Sequence, residues 1–175
     1  MRIVAGEWRG RRLKVPPGAV RPTGDRVREA WMSIVHALLP GARVLDLCAG
    51  SGALGIEALS RGAAHATFVE SDPRVVRTLT ENIAVVGADA VSSVVRDEAA
   101  AFLRKVTGVA FDVAFADPPY AADDARVIAA RWLESPFASV LGVEHSARDT
   151  LPEATDTRRY GDTAITFYRV PPANE

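Results

Sequence analysis

The sequence predicts an α/β fold: a doubly wound, mostly parallel, seven-stranded Rossmann-like sheet with an antiparallel C-terminal edge strand, plus an N-terminal basic β-hairpin extension. Three observations predict it. Short apolar runs alternate with amphipathic helical stretches through the middle of the chain, the pattern of right-handed βαβ units. A glycine-rich loop, Gly50-Ser51-Gly52-Ala53-Leu54-Gly55, follows the first of those runs. The chain then closes on Thr157–Tyr160, Gly161-Asp162 and Thr163–Val170, which read as an antiparallel hairpin.

Each element has its own signal. From Ile3 to Val15, short apolar stretches broken by Gly6 and Gly10, and stopped by Pro16-Pro17, predict a basic hairpin and a loop. From Asp25, a plausible N-cap, Val27, Trp31, Ile34 and Leu38 share one helical face until Pro40-Gly41. Strands are expected at 43–47, 66–70, 91–95, 111–116 and 140–144. Helices are expected at about 53–61 (closed by Gly62), from Pro73 to Gly87, and at about 98–106 and 124–133. The run Phe111-Asp112-Val113-Ala114-Phe115-Ala116 is nearly continuous in apolar residues, as a strand buried on both faces should be.

Composition narrows the function classes. The chain has 175 residues, 48% hydrophobic and 25% charged, which excludes a disordered chain, a coiled coil and a collagen-like repeat. No apolar run approaches the ~20 residues of a membrane helix, and the N-terminus lacks the apolar stretch of a signal peptide. The single cysteine, Cys48, has no partner for a disulfide, and Cys/His metal spacing is absent. A soluble, cytoplasmic, monomeric protein with no metal and no membrane partner is expected. Net charge is −1, yet residues 1–30 hold eight basic and three acidic residues, a net of +5 on an acidic remainder. A basic arm of that kind suits a polyanion, though a solvated surface hairpin would carry the same charges.

The glycine loop matches G-x-G-x-x-G between a strand and a helix, and Glu70 lies 20 residues beyond Gly50, at the end of the next strand. That spacing fits an acidic residue on the hydroxyls of a ribose. The pattern announces a nucleoside-containing cofactor and leaves NAD, FAD and S-adenosylmethionine (AdoMet) open. Charge separates them. Asp46, four residues before Gly50, is expected to turn its carboxylate toward the loop, where it would oppose a pyrophosphate and favour a cation. At ~4 Å and an effective dielectric near 20, two unit charges interact by about 4 kcal/mol. Asp46, Glu70 and Asp97 at three successive strand ends fit the sulfonium and ammonium of AdoMet; Asp97 would accept the adenine amino group. Ala49, Gly50, Ser51, Gly52, Ser71 and Glu98 complete the expected cofactor set. A second reading makes Asp46 a carboxylate that only caps the loop. Cys48 is expected to pack rather than react.

Asp117-Pro118-Pro119-Tyr120 follows the buried fourth strand directly and is more specific than the glycine loop. An exocyclic amine conjugated to a ring is a poor nucleophile. The Asp117 carboxylate and the Pro118 carbonyl can accept its two hydrogens and turn its lone pair toward a methyl group. Consecutive prolines, Pro118 and Pro119, fix φ and stiffen the acceptors. Tyr120 offers a face on which an extruded base can stack, worth roughly 1–3 kcal/mol. The tetrapeptide could also be a rigid turn that closes a strand. An amine of guanine, a DNA adenine-N6 or cytosine-N4 amine and a protein glutamine amide fit it equally. An NAD-dependent oxidoreductase or a non-catalytic RNA-binding module would leave either the tetrapeptide or the glycine loop unexplained.

The run Val44-Leu45-Asp46-Leu47-Cys48-Ala49-Gly50-Ser51-Gly52 together with Asp117-Pro118-Pro119-Tyr120 looks like a class I AdoMet-dependent amino-methyltransferase. Three further runs are Arg21-Pro22-Thr23-Gly24-Asp25-Arg26-Val27-Arg28-Glu29-Ala30, Ile3-Val4-Ala5-Gly6 and Arg9-Gly10-Arg11-Arg12-Leu13. With them the chain resembles the RsmD family of bacterial ribosomal RNA guanine-N2 methyltransferases, nearly end to end, as far as Val143-Glu144-His145-Ser146. Two departures stand out: Cys48 where relatives carry Phe, and Gly24 where they carry Thr or Ser. The resemblance implies methylation of guanine N2 in 16S rRNA within the assembled small subunit. It also implies a division into an RNA-binding extension over residues 1–20 and a methyltransferase domain over 21–175. Arg9, Arg11, Arg12 and Lys14 would grip RNA phosphates, with Trp8 either stacking on RNA or packing in the core. Thr23 and Arg26 would close over the methionine end of AdoMet, or simply start the helix.

Overall fold

The computed structural model describes residues 1–18, 24–121 and 123–174. Its sheet holds seven strands: β1 (Arg43–Leu47), β2 (His65–Glu70), β3 (Ser92–Arg96), β4 (Phe111–Ala116), β5 (Ala138–Ser146), β6 (Asp156–Tyr160) and β7 (Thr163–Arg169). They lie in the order β3-β2-β1-β4-β5-β7-β6. The first five run parallel; β7 inserts antiparallel between β5 and β6. Strand order reverses between β1 and β4, so both connections leaving that pair open a crevice at their carboxyl ends. The glycine loop follows β1 and the Asp-Pro-Pro-Tyr run follows β4, which places both at this switch point.

Among the described residues, five α-helices cover the sheet: α1 (Asp25–Val35), α2 (Ala53–Ser60), α3 (Pro73–Val86), α4 (Ala99–Arg104) and α5 (Asp124–Glu134). Alternation along the strands sends side chains to opposite layers. Val44, Val113 and Phe115 join Trp31, Ile56 and Leu79 beneath α1, α2 and α3. Leu45, Ala114 and Ala116 join Leu103, Ile128 and Trp132 beneath α4 and α5. Trp31 meets Phe115 edge to face, centroids 5.5 Å apart, and so seats α1 over β4.

Three local expectations differ. The N-terminal hairpin reduces to one antiparallel bridge, Arg2 with Arg12, supported by hydrogen bonds such as Ile3 N–H to the Arg11 carbonyl at 2.9 Å. Ile3 and Leu13 are buried in the core, so this segment is sewn onto the body. Helix α1 has Gly24 at its N-cap, while Asp25 instead pairs with Arg28 at 2.9 Å. A short 3-10 turn over His36–Leu38 follows α1 and shifts the helical phase, so Leu39 is buried and Leu38 exposed.

Candidate active site

The crevice is a cavity of about 1060 Å³. From the glycine-loop side it is lined by Cys48, Glu70 and Ser71, from β3 and the start of α4 by Asp97 and Glu98, and from the β4 side by Asp117, Pro118, Pro119 and Tyr120. Gly24 and Val27 close it from α1, Asp124 from α5, and Glu144 and Thr163 from β5 and β7. Six of the described lining residues carry a carboxyl group (Glu70, Asp97, Glu98, Asp117, Asp124 and Glu144), and none is lysine, arginine or histidine.

The glycine loop is shaped by close approach. Gly52 sits at φ +83°, in the left-handed region that favours glycine, and its Cβ would fall 2.5 Å from the Leu79 side chain. A Cβ on Gly55 would fall 2.3 Å from the Phe68 ring, so helix α2 packs directly on β2 only because that side chain is missing. Glu70 braces the loop from β2: its carboxylate accepts from the Gly50 N–H at 3.0 Å and from the Ser71 and Asp72 N–H groups at 3.1 Å. Asp97 accepts from Lys105 at 2.9 Å and from the Glu98 N–H, and the Lys105 ammonium holds its carboxyl below the usual range.

Asp46 does not line the cavity. It is buried, with its Oδ2 accepting from the Gly55 N–H at 2.9 Å, and it caps the first turn of α2 from beneath. Burial pushes its carboxyl well up, against the pull of that N–H. This geometry matches the loop-capping reading, and the acidic wall is supplied by other residues. Ala49, Gly50, Ser51 and Gly52 form the loop without being lining residues; the Ser51 carbonyl accepts from Asn82. Arg26 is exposed in the first turn of α1, between the lining residues Gly24 and Val27. Thr23 lies outside the described residues. Cys48 adopts φ 56°, and burial and then Glu70 push its thiol far up, which suppresses the thiolate.

The Asp-Pro-Pro-Tyr run holds the opposite wall. The Tyr120 hydroxyl donates to Glu144 Oε1 at 3.1 Å and shares a hydrogen bond with Thr163 Oγ1 at 2.8 Å. Its acidity is pushed down, to a pKa of about 12, mainly by burial, so it remains a donor at neutral pH. A smaller cavity of about 260 Å³ lies beyond this wall, sharing Pro118, Pro119, Tyr120 and Glu144 with the larger one. Sequence reasoning missed Glu144 and Thr163. One available signal was a carboxylate near the carboxyl end of the apolar strand β5, where ligands bind in open α/β sheets.

On the arm, Arg9, Arg11 and Arg12 are exposed; Arg11 reaches the Val85 carbonyl at 3.5 Å, and Lys14 pairs with Glu81 at 2.8 Å. None of the four is among the residues that line the cavity. Trp8 is partly buried and packs against the core beneath α2 and α3.

Sheet order, switch-point crevice and glycine loop together define the class I methyltransferase fold. An RNA methyltransferase from Salinibacter ruber, solved with S-adenosyl-L-homocysteine, has this fold at TM-score 0.66 and 14% identity over 88% of this chain and 98% of that one. The model of the family described as conserved hypothetical protein 95 matches residues 1–169, and the chain belongs to that family, the RsmD family that its sequence resembles. A hypothetical protein from Thermus thermophilus is 36% identical, with TM-score 0.86 over 97% of this chain and 99% of that one. The Escherichia coli ribosomal RNA small subunit methyltransferase D is 46% identical over 122 residues, 69% of this chain and 60% of that relative. The chain therefore spans less than two thirds of that curated relative.

Proposed function

We propose that this protein transfers a methyl group from AdoMet to the exocyclic N2 of a guanine in 16S ribosomal RNA, within the small ribosomal subunit. The observation that carries the reading is the cavity wall: six carboxyl-bearing residues and no basic one among the described lining residues, meeting Asp117-Pro118-Pro119-Tyr120. Such a wall attracts a ligand bearing a sulfonium and an ammonium and repels a pyrophosphate, by about 4 kcal/mol per close pair at ~4 Å and a dielectric near 20. The E. coli relative is named a ribosomal RNA small subunit methyltransferase, which supports an RNA acceptor.

The chain's own residues have definite tasks. Glu70 and Asp97, at successive strand ends, suit a ribose and an adenine amino group, and bound AdoMet supplies an electrophilic methyl carbon on sulfur. Asp117 and the Pro118 carbonyl accept the two hydrogens of the amine and orient its lone pair. Tyr120 offers its ring to the extruded base, which offsets the few kcal/mol that unstacking costs. Holding amine and methyl carbon in line supplies a proximity effect of up to about 7–11 kcal/mol.

Incubation with a tritiated methyl donor and, in separate arms, small subunits, naked rRNA, DNA and protein tests the reading. Labelled N2-methylguanosine from the rRNA of small subunits is the expected product. Asp117→Ala should abolish the label while calorimetric AdoMet binding persists. Label in a DNA base or in protein, or a site that binds NAD and refuses AdoMet, would overturn the assignment.

A further inference from the structure

The smaller cavity and the larger one share a wall, and Glu144 stands in it. The side chain is only 6% exposed, although it lines both cavities. Its Oε1 accepts from the Tyr120 hydroxyl at 3.1 Å; its Oε2 is buried and no donor among the described residues reaches it. Beside it is the Asp117 carboxyl, one residue past Ala116, the β4 residue in register with Val143, and it acts on Glu144 through its charge and a hydrogen bond. Two carboxyl groups in contact and away from water do not both ionise, and their contact becomes a hydrogen bond only when one of them carries a proton. The more buried member is Glu144, and its oxygen without a donor is the place where a proton satisfies both groups.

We propose that Glu144 is a positioning residue: its protonated carboxyl donates to Asp117 while accepting from Tyr120, and so fixes the two groups that meet the amine. The surroundings agree. From the β4 side, Asp117 and Tyr120 face it; from β7, the uncharged Thr163 closes the chain through Tyr120, and Ile165 is the strand-register partner of Glu144. Asp124 and Arg126 of α5 and Asp149 line the same cavities, and Arg126 is paired with Asp123. His145 also lines the smaller cavity, with its ring nitrogens held by the Ser146 carbonyl and Thr166 Oγ1. Burial first, and then the charge of Asp117, raise the Glu144 carboxyl to about 8. The donor is therefore present at neutral pH and lost as pH rises through about 8, where a second negative charge appears beside Asp117.

The inference rests on the methyltransferase reading only for the reaction it affects, and one readout does not need that reaction. In infrared difference titration of the wild type against Glu144→Gln, which cancels the buried Asp46 carboxyl, a protonated carboxyl C=O band should stand at neutral pH and disappear above about pH 8. In methyl transfer, wild-type kcat should fall along an alkaline limb near pH 8 while AdoMet binding is not weakened. Glu144→Ala should lower kcat at pH 7 by roughly 10- to 150-fold, the loss of one hydrogen bond to a charged group, again with Kd unchanged. Glu144→Gln keeps a donor for Asp117 and an acceptor for Tyr120 at every pH, so it should rescue most of that loss and lack the alkaline limb. A Gln variant that retains the limb, an Ala variant with wild-type kcat, or no protonated carboxyl band at neutral pH would each overturn the proposal. Absence of methyl transfer in every arm would defeat the reaction assigned above, and the infrared titration would still decide the proton.

Discussion

Two carboxylates approach the same glycine loop from adjacent parallel strands, and their surroundings separate their work. Glu70 reaches the loop from its outer side, takes three backbone N–H groups and lines the cavity. Asp46 reaches it from beneath, takes the Gly55 N–H and is shut away from the cavity. A carboxylate in the wall acts on a ligand; one under a helix end acts on the fold. Glu70→Gln should accordingly weaken AdoMet binding by roughly 1–3 kcal/mol, through loss of the charged acceptor. Asp46→Ala should leave AdoMet affinity near wild type and lower stability by about 0.5–2 kcal/mol, the usual cost of a lost helix cap. Calorimetry for binding and urea unfolding for stability read the two effects separately. A large affinity loss in the Asp46 variant with no loss of stability would return that residue to the cavity wall.

At the scale of elements, the N-terminal segment is held by α2 as well as by its own pairing. Glu57 accepts from the Val4 N–H at 3.0 Å, from the Ala5 N–H at 3.0 Å and from Arg61 at 3.0 Å, and it stands 3.8 Å from the buried Arg28. Ser60 adds hydrogen bonds from the Trp8 N–H and to the Ala5 carbonyl. Removing one partner of a buried pair strands the other, so Glu57→Ala should destabilise the protein by about 3–5 kcal/mol. It should also expose Arg9, Arg11 and Arg12 to trypsin; unfolding curves and limited proteolysis measure both, and a protease-resistant arm would contradict the anchoring role. This dependence explains what was legible in the sequence. Strands β1, β2 and β4 were readable because apolar runs and glycine breaks are local. The docking of the N-terminal segment on α2 is not legible there because its partners, Glu57 and Ser60, lie some fifty residues away and leave no local mark. The Asp-Pro-Pro-Tyr run and Glu70 were legible for the same local reason. Glu144 was not, because its meeting with Asp117 depends on the pairing of β4 with β5, Ala116 opposite Val143.

Across the whole molecule, charge is partitioned by task. The acidic cavity repels phosphate, so a polyanionic acceptor can offer it only an uncharged base, while its backbone must be held elsewhere. The exposed arginines of the arm are suited to that holding, and their number sets the salt dependence because each neutralised phosphate releases counterions. The four basic residues of the arm are not equivalent. Lys14 is paired with Glu81, so binding a phosphate would first break an existing ion pair, whereas Arg9 and Arg12 have no ion-pair partner among the described residues. The variant Arg9→Ala/Arg12→Ala should therefore lower the slope of log K against log salt by roughly 0.7–0.9 for each phosphate contact removed. Lys14→Ala should change the slope less, and AdoMet binding should be untouched in both because none of these residues lines the cavity. Filter binding of 16S rRNA fragments across a salt series gives the slopes directly. Equal slopes in the wild type and the double variant would assign the arginines to solvent and move the phosphate grip to another face of the protein.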